Sequence, residues 1–251
     1  MTALMAACAG LAITLAASRT TQTKRRIMRN SEKGLHPMGK QAIGQPNPDA
    51  GWRWVSERGL RVATGDTTLP RYLLLVSQNL PEIEDLIPSD DSILLILHRG
   101  APVSTALRAA LAAPLSGAAT QTGPLHEIAV EYGGAAGPDL PGLARRAGIS
   151  VTDCIERHAA TDYTVAFLGF QPGFPYLHGL PEALCAPRRA TPRVRVATGS
   201  VAIGGAYCGI YPADGPGGWH LIGRASTILF DPARAAPALL MPGDRVRFIP
   251  A

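Results

Sequence analysis

Three stretches of the 251-residue chain gather groups that could hold an anion. PRRATPRVRVATGSV brings Arg188, Arg189, Arg193 and Arg195 up to a Gly199-Ser200 turn. GIYPADGPGGWHLIGR sets Tyr211, then Gly217 and Gly218, ahead of Trp219, with Arg224 behind. Glycine turns let backbone N–H groups approach an anion closely, and guanidinium groups complete such a site. The third stretch, GFQPGFPYLHG (169–179), carries Phe170, Phe174 and Tyr176. Pro172 and Pro175 rule out a helix there and make it a poor central strand. Its aromatics are expected to wall a pocket or face a partner. Together the three stretches describe a carboxylate or phosphate pocket lined by aromatic rings, with its chemistry undefined.

Single residues carry competing readings. His158, in RHAATDY, could be a general acid or base near neutral pH, or a helix C-terminal histidine satisfying carbonyls. Arg188, Arg189, Arg193 and Arg224 bind anions or pair with acids across the domain. Gly199-Ser200 lacks a G-x-S-x-G elbow and reads as a turn. Gly217, Gly218 and Trp219 shape a loop at the pocket or an interface, with Trp219 as an anchor. Asp139 reads as a helix cap, and His178 and His220 as structural. Cys8, Cys154, Cys185 and Cys208 form no C-x-x-C pair and no zinc spacing, which favours buried thiols in a reducing compartment such as the cytoplasm. No metal-ligand spacing announces itself.

Charge excludes whole classes of function. Residues 1–51 hold seven bases against two acids, so the net charge of +5 belongs to that segment and the remaining 200 residues are neutral. A nucleic-acid role for the body loses its electrostatic basis. All three lysines (Lys24, Lys33, Lys40) lie in the leading segment, which excludes a P-loop, Schiff-base or general-base lysine in the body. The apolar run at 4–18 has signal-peptide length, is too short for a membrane span, and has its basic cluster on the wrong side. A transit peptide and an upstream start, with Met28 or Met38 as the true beginning, are the other readings. Residues 30–51 read as a polar linker.

The elements that must position these residues fall in two textures. Residues 52–63 suggest a short strand pair, 69–80 a helix, 82–87 and 92–97 strands, and 101–111 a helix. This is a small α+β domain over 52–124, with QTGP (121–124) as a hinge. From 125 to 251 the pattern becomes β-rich. A strand at 128–132 precedes a helix at 140–147, capped by Asp139 and closed by Gly148. A second helix at 153–158 has only a loose capping match between Thr152 and Glu156. Then come short runs, TVAFLG, VATGSVAIGG, CGIYP, GWHLIG, TILF and RVRFIP, with eleven of the 22 prolines beyond residue 160. Short strands with tight turns predict a closed or partly closed barrel.

EYGGAAGPDL, RHAATDYTVAFLGFQPGFPYLHGLP, PRRATPRVRVATGSVAIGG, GIYPADGPGGWHLIGR and MPGDRVRF, in that order and spacing, resemble the family of 5-oxoprolinase B subunits over residues 132–248. The family is similar to the first half of the carboxyltransferase module of allophanate hydrolase and urea carboxylase. Residues 52–124 resemble its N-terminal domain by element order alone, and Glu131 departs from the small or apolar residue expected before Tyr132. The resemblance implies a cyclophilin-like barrel and ATP-dependent opening of 5-oxo-L-proline to L-glutamate. It implies the A and C subunits of 5-oxoprolinase as partners, with ATP and Mg²⁺ required by the complex. Other family roles are inhibition of a sensor histidine kinase and urea or allophanate carboxyl transfer. His158, Arg188, Arg189 and Arg193 become catalytic candidates; Gly199, Ser200, Tyr211, Gly217, Gly218 and Arg224 anion-binding ones; and Phe170, Phe174, Tyr176 and Trp219 the wall.

Overall fold

The computed structural model describes residues 51–115 and 123–251. The leading apolar run, the basic cluster and the linker up to residue 50 lie outside the described residues, as do Gln121 and Thr122 of the proposed hinge. Gly123 is tied down, its N–H donating to the Gly243 carbonyl at 2.9 Å.

The first sheet joins β1 (Trp52–Trp54), β2 (Gly59–Ala63), β3 (Ile83–Pro88) and β4 (Ser92–Leu97) in the antiparallel order β1-β2-β4-β3. SILLIL supplies one of its two central strands, because a strand paired on both sides buries both faces. Helices α1 (Thr68–Gln78) and α2 (Thr105–Ala112) pack on the sheet, and Leu60, Leu75, Ile93, Leu95 and Leu107 form the core between them.

Beyond it, β5 (Leu125–Tyr132), β6 (Asp162–Leu168), β7 (Pro175–His178), β9 (Ser200–Gly204), β10 (Tyr207–Ile210), β12 (His220–Ala225) and β13 (Arg245–Pro250) close a seven-stranded barrel. The order is β10-β7-β6-β13-β5-β12-β9, antiparallel except where the last strand lies parallel to β5. Inward residues alternate along each strand and include Val165, Leu177, Val201, Ile203, Cys208, Ile210 and Phe248. Two helices, α3 (Leu140–Ala147) and α4 (Val151–Ala159), pack on the barrel. The pair β8 (Arg193–Val196) and β11 (Gly215–Gly217) forms a separate two-stranded strap.

Several local expectations are corrected. PYLH is a central strand after all, paired with β6 and β10. Proline is tolerated because Pro175 is the strand's first residue and Pro172 sits in the turn before it. The helix predicted at 153–158 begins at Val151, because Ser150 and Asp153 form a reciprocal capping box that displaces the loose Thr152 match. TILF forms no strand; Phe230 makes only an isolated bridge to Ala238. Asp139 stands at the cap position of α3 without a side-chain cap bond, because its carboxylate is engaged elsewhere. Gly148 closes α3 in the left-handed conformation, as expected.

Glycine decides how closely aromatic rings lie on the barrel. A Cβ at Gly204 would stand 2.5 Å from the Trp219 ring, whereas one at Gly142 on α3 would meet nothing nearer than the Arg145 guanidinium at 3.9 Å. Gly204→Ala should therefore cost about 1–3 kcal/mol through overpacking. Gly142→Ala should stabilise by about 0.5–1 kcal/mol, since an open helical glycine is penalised relative to alanine. Urea denaturation of the two variants checks the opposite signs.

Candidate functional site

On the barrel's outer face, half of the chain's three Trp, six Tyr and five Phe meet in one cluster. Phe167 and Tyr176 stack at 4.3 Å between ring centroids. Phe174 meets Tyr211 at 5.1 Å and Trp219 at 5.4 Å, both edge to face. Tyr176 joins Trp219 at 5.5 Å and Tyr207 at 5.6 Å, also edge to face. Such geometry aligns positive ring edges with negative faces. Glycines make room, since a Cβ on Gly209 would strike Phe174 and one on Gly217 would strike Tyr211.

The predicted wall is thereby divided. Phe174, Tyr211 and Trp219 are buried and form core, correcting the expectation that Phe174 and Trp219 present themselves to a ligand or partner. Tyr176 is half-buried at the edge. Phe170 alone of the wall residues projects, at 58 % exposed. It sits in a tight turn where the Gln171 N–H donates to the Gly169 carbonyl at 2.7 Å. Its φ of 64° is a left-handed value that an aromatic residue rarely adopts.

A partly buried ion cluster fastens a strap over this face. The Asp139 carboxylate accepts from Arg189 Nη1 at 2.9 Å, from Arg193 Nη1 at 2.8 Å and Nη2 at 2.9 Å, and from the Leu221 N–H at 2.7 Å. Burial pushes its carboxyl upward, yet the Arg193 and Leu221 hydrogen bonds and the two guanidinium charges hold it below the ordinary range. Arg189 and Arg193, expected to be catalytic, are thus committed to a carboxylate inside the protein. His220 Nε2 contacts the Pro187 carbonyl at 2.9 Å, and the Arg189 N–H donates to Gly218 O at 2.7 Å, so the strap is pinned at further places. Arg188, beside them, is exposed and lies 5.9 Å from the Trp219 ring centroid, a cation–π contact. No carboxylate among the described residues pairs with it.

His158 is moved from a surface helix end into the barrel core, at 1 % exposed. Tyr132 Oη lies 2.7 Å from Nδ1 and Cys208 Sγ 3.2 Å from Nε2, while the Phe248 ring packs at 4.7 Å. Burial pushes its pKa down to about 3 and pushes the Cys208 thiol up. With the ring neutral, one nitrogen donates and the other accepts, and the tyrosine hydroxyl and the thiol take the complementary roles. This polar chain satisfies the core; its imidazole and thiol are buried, and the histidine is not placed to exchange protons with a substrate.

The remaining candidates shape backbone. Gly199, with φ of 81°, lets its carbonyl accept from Ala225 N at 2.8 Å while its own N–H donates to Tyr211 O at 2.8 Å. Ser200 is buried in β9, and Gly218 receives the Arg189 bond. Arg224 is exposed on β12, away from the clamp. Two features escaped the sequence. Asp139 receives arginines 50 and 54 residues away, a separation with no local pattern. Asp214 similarly locks Arg195 and Thr198. Among the described residues no group of three or more His, Cys, Asp and Glu gathers as a metal site, and no helix is long and apolar enough to cross a membrane.

Known proteins resemble this chain to different extents. The family described as carboxyltransferase domain, subdomain C and D, matches residues 57–240. The B subunit of 5-oxoprolinase from Escherichia coli O157:H7 is 49 % identical over 176 residues, covering 68 % of this chain and 80 % of that protein. The solved protein TTHA0988 aligns with a TM-score of 0.64 and 36 % identity over 77 % of this chain; this chain spans 40 % of its length. Urea amidolyase from K. lactis shares the fold, with a TM-score of 0.61 and 19 % identity over 92 % of this chain and 17 % of its own.

The neutral, buried histidine makes a pH prediction. Its folded pKa lies below the ordinary 6.5, so between these values the unfolded chain binds a proton that the folded one refuses. Its contribution is fully present above pH 6.5 and is lost as pH falls toward 3. Relative to His158→Gln, the native chain should lose about 2 kcal/mol between pH 7.5 and 5. Denaturant titrations at both pH values measure this; parallel profiles would contradict a neutral core histidine.

Proposed function

We propose that this chain, which belongs to the carboxyltransferase-domain family and within it to the 5-oxoprolinase B-subunit group, acts as the B component of an ATP-dependent 5-oxoprolinase. The reading is carried by its 49 % identity to a 5-oxoprolinase B subunit over 80 % of that protein's length. In this proposal the barrel is of the cyclophilin-like class, a likeness of fold that transfers no prolyl isomerase activity. The partners are the A and C subunits of the enzyme, and the free thiols at Cys154, Cys185 and Cys208 suit a reducing cytoplasm.

The chemistry sets requirements that these residues can meet. A lactam amide resists hydrolysis, and phosphorylating its carbonyl oxygen makes the carbon more electrophilic and the oxygen a better leaving group. Charge then develops on the transferring phosphoryl group and must be stabilised alongside the substrate carboxylate. Of the four catalytic candidates, Arg188 offers an exposed guanidinium beside the Tyr176 and Trp219 rings. We assign it to an anionic group of the substrate, with Arg189 and Arg193 holding its position through Asp139. Mg²⁺ would arrive with the nucleotide phosphates, where it usually keeps several waters.

The test is reconstitution of this chain with candidate A and C subunits, followed by 5-oxoproline, ATP and Mg²⁺ and a glutamate assay. Glutamate release should require this chain, and Arg188→Ala should lower kcat/KM by about 100-fold. Full activity of the other two components alone would overturn the assignment.

A further inference from the structure

We propose that a second, separate cleft at the barrel's rim binds an oxyanion, a carboxylate or a phosphate, through Arg224. The cleft has a volume of about 490 Å³ and lies between the strap and the segment after β12. Arg195, Thr198 and Asp214 line one side, and Arg224, Ser226, Thr227 and Ile228 the other.

The charges in it are unequally committed. Asp214 is saturated: it accepts from the Thr198 N–H at 2.8 Å, the Thr198 hydroxyl at 2.9 Å, and Arg195 Nε and Nη2 at 3.0 and 2.6 Å. The Thr198 N–H bond first, and then Arg195, depress its pKa to about 2. A carboxylate engaged in this way neutralises Arg195 and has no need of a second cation.

Arg224 has no such partner. Among the described residues its guanidinium makes no hydrogen bond or ion pair, and Glu131, opposite it in register on β5, does not reach it. The side chain lies over the Gly199 turn, where a Cβ would meet its Cγ at 3.4 Å. The hydroxyls of Ser226 and Thr227 are also without protein partners among the described residues, as are the backbone N–H groups of Thr227 and Ile228. One free guanidinium, two hydroxyls and two consecutive amide donors on one side of a cleft, with its acid neutralised, form a donor set with no internal acceptor. Guanidinium and successive backbone N–H groups are the groups that recognise carboxylate and phosphate oxygens. Ile228, 61 % exposed, adds an apolar edge suited to a small organic acid or ester. The cleft stands on its own geometry; only the choice of 5-oxoproline as a probe rests on the proposed reaction.

Calorimetric titration of the full chain with inorganic phosphate, and separately with 5-oxoproline, distinguishes the two sources of the oxyanion. At least one should bind, and Arg224→Gln should weaken that binding about tenfold or more while the ligand-free melting temperature is unchanged. A Ser226→Ala, Thr227→Val double variant, which leaves the charge in place, should weaken it about threefold to tenfold and serves if the arginine variant does not fold. Absence of binding by both probes, or equal binding by native and variant chains, overturns the proposal. Loss of 5-oxoprolinase activity in the reconstituted complex would leave this result intact, so the two readings fail separately.

Discussion

One carboxylate holds the candidate site together. Asp139 sits at the start of α3, where a helix dipole favours negative charge, yet it leaves the helix amides uncapped. Instead it takes one guanidinium group from the strap at Arg193, one from the segment before it at Arg189, and one N–H from β12. Its side chain is 10 % exposed, so removing the charge would strand two partly buried cations. That asymmetry makes such a cluster weak evidence for net stability and strong evidence for a fixed geometry. Helix, strap and barrel wall are fixed to one another at this point.

The aromatic face depends on the same fixture. Trp219 closely follows the strap, Arg188 directly precedes Arg189, and Leu221 is the residue whose N–H Asp139 holds. Packing of rings over Gly204, Gly209 and Gly217 is tolerant of no extra carbon. A strap free to move would uncover Trp219 and release Arg188 from it. The cleft at Arg224 lies beyond the strap's other side, where Asp214 performs a similar service for Arg195. Two acids therefore sort the arginines of this region into those that build and those that remain free.

How much of this was legible in the sequence follows from range. The helix at 140–147, its glycine stop and the strands of the first sheet were readable, because periodicity and caps act within a few residues. The barrel was foreseeable from short runs and turns. The fate of Arg189 and Arg193 was not, since a guanidinium in a basic run looks the same whether its acid lies in a ligand or 50 residues upstream. His158 and Phe174 were misplaced for a related reason. Membership of a motif does not say which face of a strand or helix a side chain occupies, and in a closed barrel that single choice separates solvent from core. PYLH failed through a general rule applied too broadly, since a proline that opens a strand removes a donor the ladder does not use there.

The most direct measurement is hydrogen exchange on Asp139→Asn, resolved by peptide. If Asp139 is the clamp, exchange should accelerate in residues 187–196 and 215–221 while the β6 and β7 amides keep their native protection. Unchanged protection of the strap, or uniform acceleration across the barrel, would show that something other than this carboxylate holds the site in place.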